Sequence, residues 1–157
     1  MIIAIDPGPT ESAFIVWDGV SVRLKNKRDN ASVLAIVRDI GADQHNSCVI
    51  EQIASYGMAV GAEVFETCFW TGRFAEAFGA VRVERITRGE VKIHLCHSMR
   101  ARDRNVRQAL IDRFGGKVAA IGNKKAPGPL YGISGDCWSA FAVAVTWCDR
   151  HAGSVAA

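Results

Sequence analysis

The chain opens on a short apolar run that ends at Asp6 and is broken at once by Pro7-Gly8-Pro9. That pattern predicts a buried strand followed by a turn. A second apolar run over 12–17 is too short for a helix, and the Asp18-Gly19 that follows it is a strong hairpin signal. Val20, Val22 and Leu24 then alternate with Ser21, Arg23 and Lys25, which predicts a third, half-exposed strand. The chain therefore begins as a three-stranded antiparallel meander.

Helical spacing takes over after it. Val33, Leu34, Val37 and Ile40 predict a helix over 29–40, capped by Asp29 or Asn30 and ended by Gly41. Cys48-Val49-Ile50 is a buried strand ending at Glu51, and a strand reached through a helix is expected parallel to an earlier one. A long helix over 63–78 is apolar around more than half its circumference, which leaves two readings: a deep core position or a second contact such as a partner subunit. Val81 and Val83 predict a fifth strand, and Thr87 and Glu90 have the spacing of a capping box. A further helix is expected over 103–114, then a long basic loop over 116–135, then a last apolar helix that begins at Asp136. The predicted fold is α/β: a five-stranded mixed sheet, three antiparallel strands plus two parallel, flanked by helices, in a single domain over 1–157.

Composition adds little to the fold but something to the function. No apolar run approaches a membrane span and no signal-peptide pattern is present, so a cytoplasmic location is expected, with no membrane partner. Five widely spaced cysteines form no CxxC pair, which argues against a disulfide framework and a zinc site and suggests core packing for most of them. Net charge is only +3, yet Arg82 to Lys125 holds twelve Lys/Arg against four Asp/Glu. Such a basic stretch suggests a phosphate-bearing partner, with solvated helix faces as the plainer reading.

Three acids sit at the borders of regular elements: Asp6 at the end of the first strand, Glu51 at the end of the fourth, Asp136 at the start of the last helix. The ends of two parallel neighbours lie side by side, at the mouth where open α/β sheets place their sites. Three carboxylates together repel, and hard divalent cations such as Mg²⁺ remove that cost. Two such ions about 3.5–4 Å apart can activate a water and stabilise the leaving oxygen of a phosphodiester. Taken singly, Asp6 can be a turn former and Asp136 a plain helix cap; the element order favours a shared site.

The same residues carry a family resemblance. Ile2-Ile3-Ala4-Ile5-Asp6-Pro7-Gly8 resembles the opening of RuvC-type Holliday-junction resolvases, and Val49-Ile50-Glu51-Gln52 resembles their second acidic motif. Val91-Lys92 resembles the region bearing an essential lysine, and Asp136 with Ala140-Phe141-Ala142-Val143-Ala144-Val145-Thr146 resembles their last helix. The stretches Asn105 to Gly115 and Lys125-Ala126-Pro127-Gly128-Pro129 resemble phage-encoded members. The resemblance implies an RNase H-like fold and a homodimer that nicks opposed strands of a four-way junction or related branched DNA. It implies two Mg²⁺ ions, with Mn²⁺ as a substitute, held by Asp6, Glu51 and Asp136, and Lys92 at the scissile phosphate. The DNA-contacting residues are then expected among Tyr56, Arg88, Lys92, Arg100, Arg102, Arg104, Arg107, Lys124 and Lys125.

The chain departs from that pattern in three places. The fourth acid expected one helical turn after the third is Ser139, which can serve only as a neutral or water-mediated neighbour of the metals. The family's second lysine falls near Asp103, here read as a helix cap, with Arg102 or Arg104 to supply the charge. The junction-wedging aromatic falls at Ala54, with Tyr56 the nearest substitute. Other readings stay open: a branched-DNA binding protein of weak or no catalytic activity, an actin-like ATPase relative, and an RNase H that cuts RNA in hybrids.

Overall fold

The computed structural model describes residues 1–55 and 57–152. Strands β1 (Ile2–Asp6), β2 (Glu11–Trp17) and β3 (Val22–Asp29) form the meander, and α1 (Asn30–Gly41) leads to β4 (Ser47–Gln52). Then come α2 (Ala62–Phe78), β5 (Val83–Thr87), α3 (Arg88–Cys96), α4 (Asp103–Arg113), α5 (Gly116–Ala120) and α6 (Cys137–His151). The five strands make one mixed sheet in the order β3-β2-β1-β4-β5. The meander pairs antiparallel, whereas β1 with β4 and β4 with β5 run parallel.

Strand alternation divides the core into two layers. Ile3 and Ile5 of β1 with Cys48 and Ile50 of β4 pack against Val33, Leu34 and Val37 of α1 and Phe74 and Phe78 of α2. Ile2, Ala4 and Val49 face the other way, onto Val91 of α3, Val106 and Leu110 of α4 and the apolar stripe of α6 from Ala140 to Val145. The last helix is apolar nearly all round because it lies across the middle of the sheet. No helix among the described residues is long and apolar enough to cross a membrane.

Several local expectations need correcting. Val20 lies in the hairpin turn and is exposed, so the third strand starts only at Val22. Val81 is 99% exposed in a short 3₁₀ turn, Ala80–Arg82, and the fifth strand starts at Val83, where pairing with Cys48 begins. The supposed loop over 116–135 starts as α5 and continues through a Gly122–Pro127 bridge, anchored by buried Leu130 and Ile133. Its five glycines hid those apolar anchors from a composition-based reading. The cysteines are unpaired: Cys48 and Cys137 are buried, Cys96 and Cys148 half-buried, and Cys68 exposed on α2. On that helix Phe65 and Phe69 are 65% and 57% exposed, so its wide apolar face is no deep core position.

Candidate active site

The parallel pairing of β1 with β4 matches Ile5 with Ile50, and one further step along the register sets Asp6 level with Glu51. Both acids continue the parity of Ala4 and Val49, so their side chains emerge on the α6 side of the sheet. The turn after Asp6 is pinned by a buried polar network. Gly8 N–H donates to Ser12 Oγ (3.2 Å), Ser12 Oγ–H to Asn30 Oδ1 (2.6 Å), and Asn30 Nδ2–H to the Gly8 carbonyl (3.0 Å). A Cβ on Gly8 would lie 2.4 Å from the Glu11 carbonyl oxygen, so only glycine fits this turn.

Asp136 occupies the N-cap position of α6 but makes no capping hydrogen bond. Its Oδ2 accepts from Lys27 Nζ at 2.8 Å, and the same ammonium lies 3.9 Å from Glu11. Lys27 sits on β3 and was missed from the sequence. A lysine on an edge strand reads as solvated, and only the fold brings it to a residue 109 positions away. One turn into α6, half-buried Ser139 hydrogen-bonds the Asp6 carboxylate.

On the other flank, Thr87 caps α3 through a capping box with Glu90, and Arg88 begins the helix. Its Nη1 lies 3.5 Å from Glu51 Oε2 and its Nη2 2.5 Å from Asp103 Oδ1. Asp103 is therefore not the cap of α4; the cap position is Arg102, and Asp103 grips Arg88 instead. Lys92, one turn along α3, is half-buried, and its charge acts on Glu51.

The electrostatics single out the two strand-end acids. Burial, repulsion from Asp6 and a weaker effect of Asp103 push the Glu51 carboxyl up to about 7, against the pull of Arg88 and Lys92. Burial and the Asp136 charge push Asp6 up to about 6, against Arg88, the Ser139 hydroxyl and Lys27. Among the described residues no three His, Cys, Asp or Glu side chains close into a ready-made metal cage. The donor set is all carboxylate, however, and its two deepest members are short of positive charge. These residues fit a hard divalent cation at Asp6 and Glu51, with Asp136 engaged by Lys27.

Two hollows meet at Asp136. One of about 330 Å³ is lined by Arg88, Asp103, Arg104, Arg107, Trp138 and Ser139. The other, about 390 Å³, is lined by Asp6, the 7–11 turn and Lys27. A roomier hollow of about 570 Å³ beside α2 has Glu76 as its one lining acid and offers no such chemistry. Of the basic residues expected to meet DNA, Arg88, Arg104 and Arg107 line the first hollow, Arg107 lying 4.9 Å from the Trp138 ring centroid. Arg100 and Arg102 are exposed just before α4, and Lys124 and Lys125 are exposed on the turn after α5. Tyr56 lies outside the described residues.

This is a mixed α/β sheet of RNase H-like topology with its acids gathered at the mouth. The fold is that of RuvC: the Thermus thermophilus RuvC structure matches at a TM-score of 0.66 and 17% identity, over 96% of this chain and 96% of that one. T. thermophilus RuvC in complex with a Holliday junction substrate matches at 0.64 and 18% identity, over 92% of this chain and 90% of that one. No protein-family model and no curated protein matches the sequence.

Proposed function

We propose that this chain is a divalent-metal-dependent, structure-selective DNA endonuclease, one nuclease domain over 1–157, that resolves four-way junctions or related branched DNA by paired nicking. The observation that carries the reading is the buried Asp6–Glu51 pair, under-compensated at the sheet mouth of a RuvC-like fold. A neighbour of that fold holds a Holliday junction substrate, which favours branched DNA over linear.

Asp6, Glu51 and Asp136 would hold Mg²⁺, or Mn²⁺ in its place, two ions in all. Bound there, the metal supplies an activated water and charge for the leaving oxygen. The chain does the rest. The Gly8–Ser12–Asn30 network fixes Asp6, and the sheet register fixes Glu51 beside it. Lys27 holds Asp136 until the carboxylate is needed elsewhere. Lys92, whose charge acts on Glu51, would meet the charge that develops on the scissile phosphate. Arg100, Arg102, Arg104, Arg107, Lys124 and Lys125 bind backbone phosphates along the arms.

Paired nicking calls for two copies. The exposed Phe65 and Phe69 of α2, with Met58 and Val60 exposed nearby, offer a face for a homodimer. Phe69→Glu should then shift the protein to monomer in sedimentation. Such a protein works in the cytoplasm of a bacterial cell or a phage-infected host.

The test is cleavage of matched linear, forked, flapped and four-way DNA with Mg²⁺, against the same reactions in EDTA. Metal-dependent paired nicks in the four-way substrate are expected, and indifference to branching would overturn the reading. A second reading is a branched-DNA binder that does not cut, favoured by the Lys27–Asp136 ion pair and by a neutral Ser139 beside Asp6. It predicts tight junction binding with no nicks at any metal concentration.

A further inference from the structure

Arg88 stands in an electrostatically costly place. It is the first residue of α3, at the positive end of the helix dipole, and its side chain is only 20% exposed. A cation there must be justified by what it faces. Its described partners take two of the five guanidinium N–H donors. The contact to Glu51, at 3.5 Å, is at the outer limit of a hydrogen bond, whereas the contact to Asp103 is short. The guanidinium is thus anchored from the rim by Asp103 and only loosely engaged on its inner side. Arg88 lines, with Asp103, Asp136 and Ser139, the hollow of about 330 Å³.

Asp103 is itself out of place on a DNA-facing surface. It is 79% exposed and stands among Arg100, Arg102, Arg104 and Arg107, where a lone carboxylate repels phosphate. Its contact with Arg88 gives it a purpose.

Building on the nuclease reading above, we propose that Arg88 binds a non-bridging oxygen of the scissile phosphodiester and that Asp103 is its positioning residue. A planar fork held at one end presents its remaining donors in a fixed direction, and that geometry matches a phosphate where a lysine would offer a point charge. The capping box of Thr87 and Glu90 fixes the backbone from which the fork projects.

Two measurements test this, one of them independent of the metal-loaded enzyme. In EDTA, the salt dependence of four-way junction binding should flatten by about 0.9 in Arg88→Ala and should keep its wild-type slope in Arg88→Lys. An unchanged slope in the alanine variant overturns the proposal. In Mg²⁺, single-turnover nicking should fall by roughly a hundredfold or more in Arg88→Ala. It should fall roughly tenfold or more in Asp103→Ala, which should nevertheless bind the junction as tightly as wild type or tighter, since a negative charge is removed. A merely structural Asp103 would weaken binding and nicking together. The Arg88/Asp103 double alanine variant should nick no more slowly than Arg88→Ala alone, because Asp103 acts only through Arg88. Additive losses overturn the positioning role. Arg88→Lys, which keeps charge and fold, should remain slow to nick, and full activity in it overturns the need for a fork. Should the wild type nick no branched DNA, the nuclease reading fails, while the EDTA slope still decides whether Arg88 contacts phosphate.

Discussion

Replacing Glu51 by glutamine should make the metal-free protein more stable, by a margin that opens above about pH 4.5 and is complete above about pH 7. The carboxyl is pushed from 4.5 to about 7, chiefly because burial strips water from the charged form and Asp6 repels it. A group whose folded-state pKa is raised contributes stability that is complete below its unfolded value and is lost as pH climbs through the folded value. The penalty on ionised Glu51 therefore grows from about pH 4.5 and levels off above about pH 7 at no more than roughly 3.5 kcal/mol, at ~1.4 kcal/mol per unit of pKa. Glutamine keeps the shape and never ionises, so it escapes that loss. For a chain of this size such a gain raises the melting midpoint by roughly 5–10 °C.

The assay is thermal or urea unfolding in EDTA at about pH 4 and about pH 8. The variant and the wild type should coincide at the acid end and separate at the alkaline end. Asp6→Asn should behave alike, its gain complete above about pH 6, the value to which burial and Asp136 push that carboxyl. The two gains should not add, because each acid raises the other. Added Mg²⁺ should stabilise the wild type at pH 8 by mass action and leave Glu51→Gln nearly unmoved. A glutamine variant that melts at or below the wild type at pH 8, or one whose gain persists at pH 4, would refute the claim that Glu51 is a desolvated, under-compensated acid.

Other expectations follow from the same geometry. Asp6→Asn, Glu51→Gln and Asp136→Asn should each abolish nicking while junction binding survives, and near-normal nicking in any of them removes that residue from the site. Asn30→Ala leaves the Ser12 hydroxyl and the Gly8 carbonyl short of partners and should cost about 1–3 kcal/mol in urea unfolding; an unchanged midpoint would show that the turn after Asp6 does not depend on the network. Ser139→Asp should lower the Mg²⁺ needed for half-maximal nicking and, in EDTA, lower the melting midpoint at alkaline pH. No change in either would mean that residue 139 does not share the Asp6 environment.

Much of the scaffold is readable from local pattern. The short apolar runs that lead to Asp6 and to Glu51, with a helix between them, predict parallel strands that end on acids. The Thr87–Glu90 spacing predicts the capping box that launches α3, and Asp29 caps α1 as expected, accepting from Ser32 N–H. These features are local, so neighbouring residues specify them. The cations of the site are another matter. Lys27 reaches Asp136 only because β3 folds back along β2, and Asp103 reaches Arg88 only because α4 returns past the start of α3. No periodicity records such pairs, and a reading by residue type gives Asp103 a cap and Lys27 to solvent.

The cation arrangement also gives Ser139 a physical rationale. The carboxylates that border the cleft are compensated unevenly. Asp136 has Lys27 at 2.8 Å and Asp103 has Arg88 at 2.5 Å, whereas Glu51 has only the distant edge of Arg88 and the field of Lys92. Asp6, also buried, accepts a hydrogen bond from an uncharged neighbour, Ser139. A carboxylate at 139 would add a like charge beside an acid already pushed up to about 6. The hydroxyl instead stabilises ionised Asp6 with a donor and adds no charge. The outer acids are thus tied to their own cations, and the unmet demand for positive charge falls on the two strand-end acids, where the proposed metal would bind.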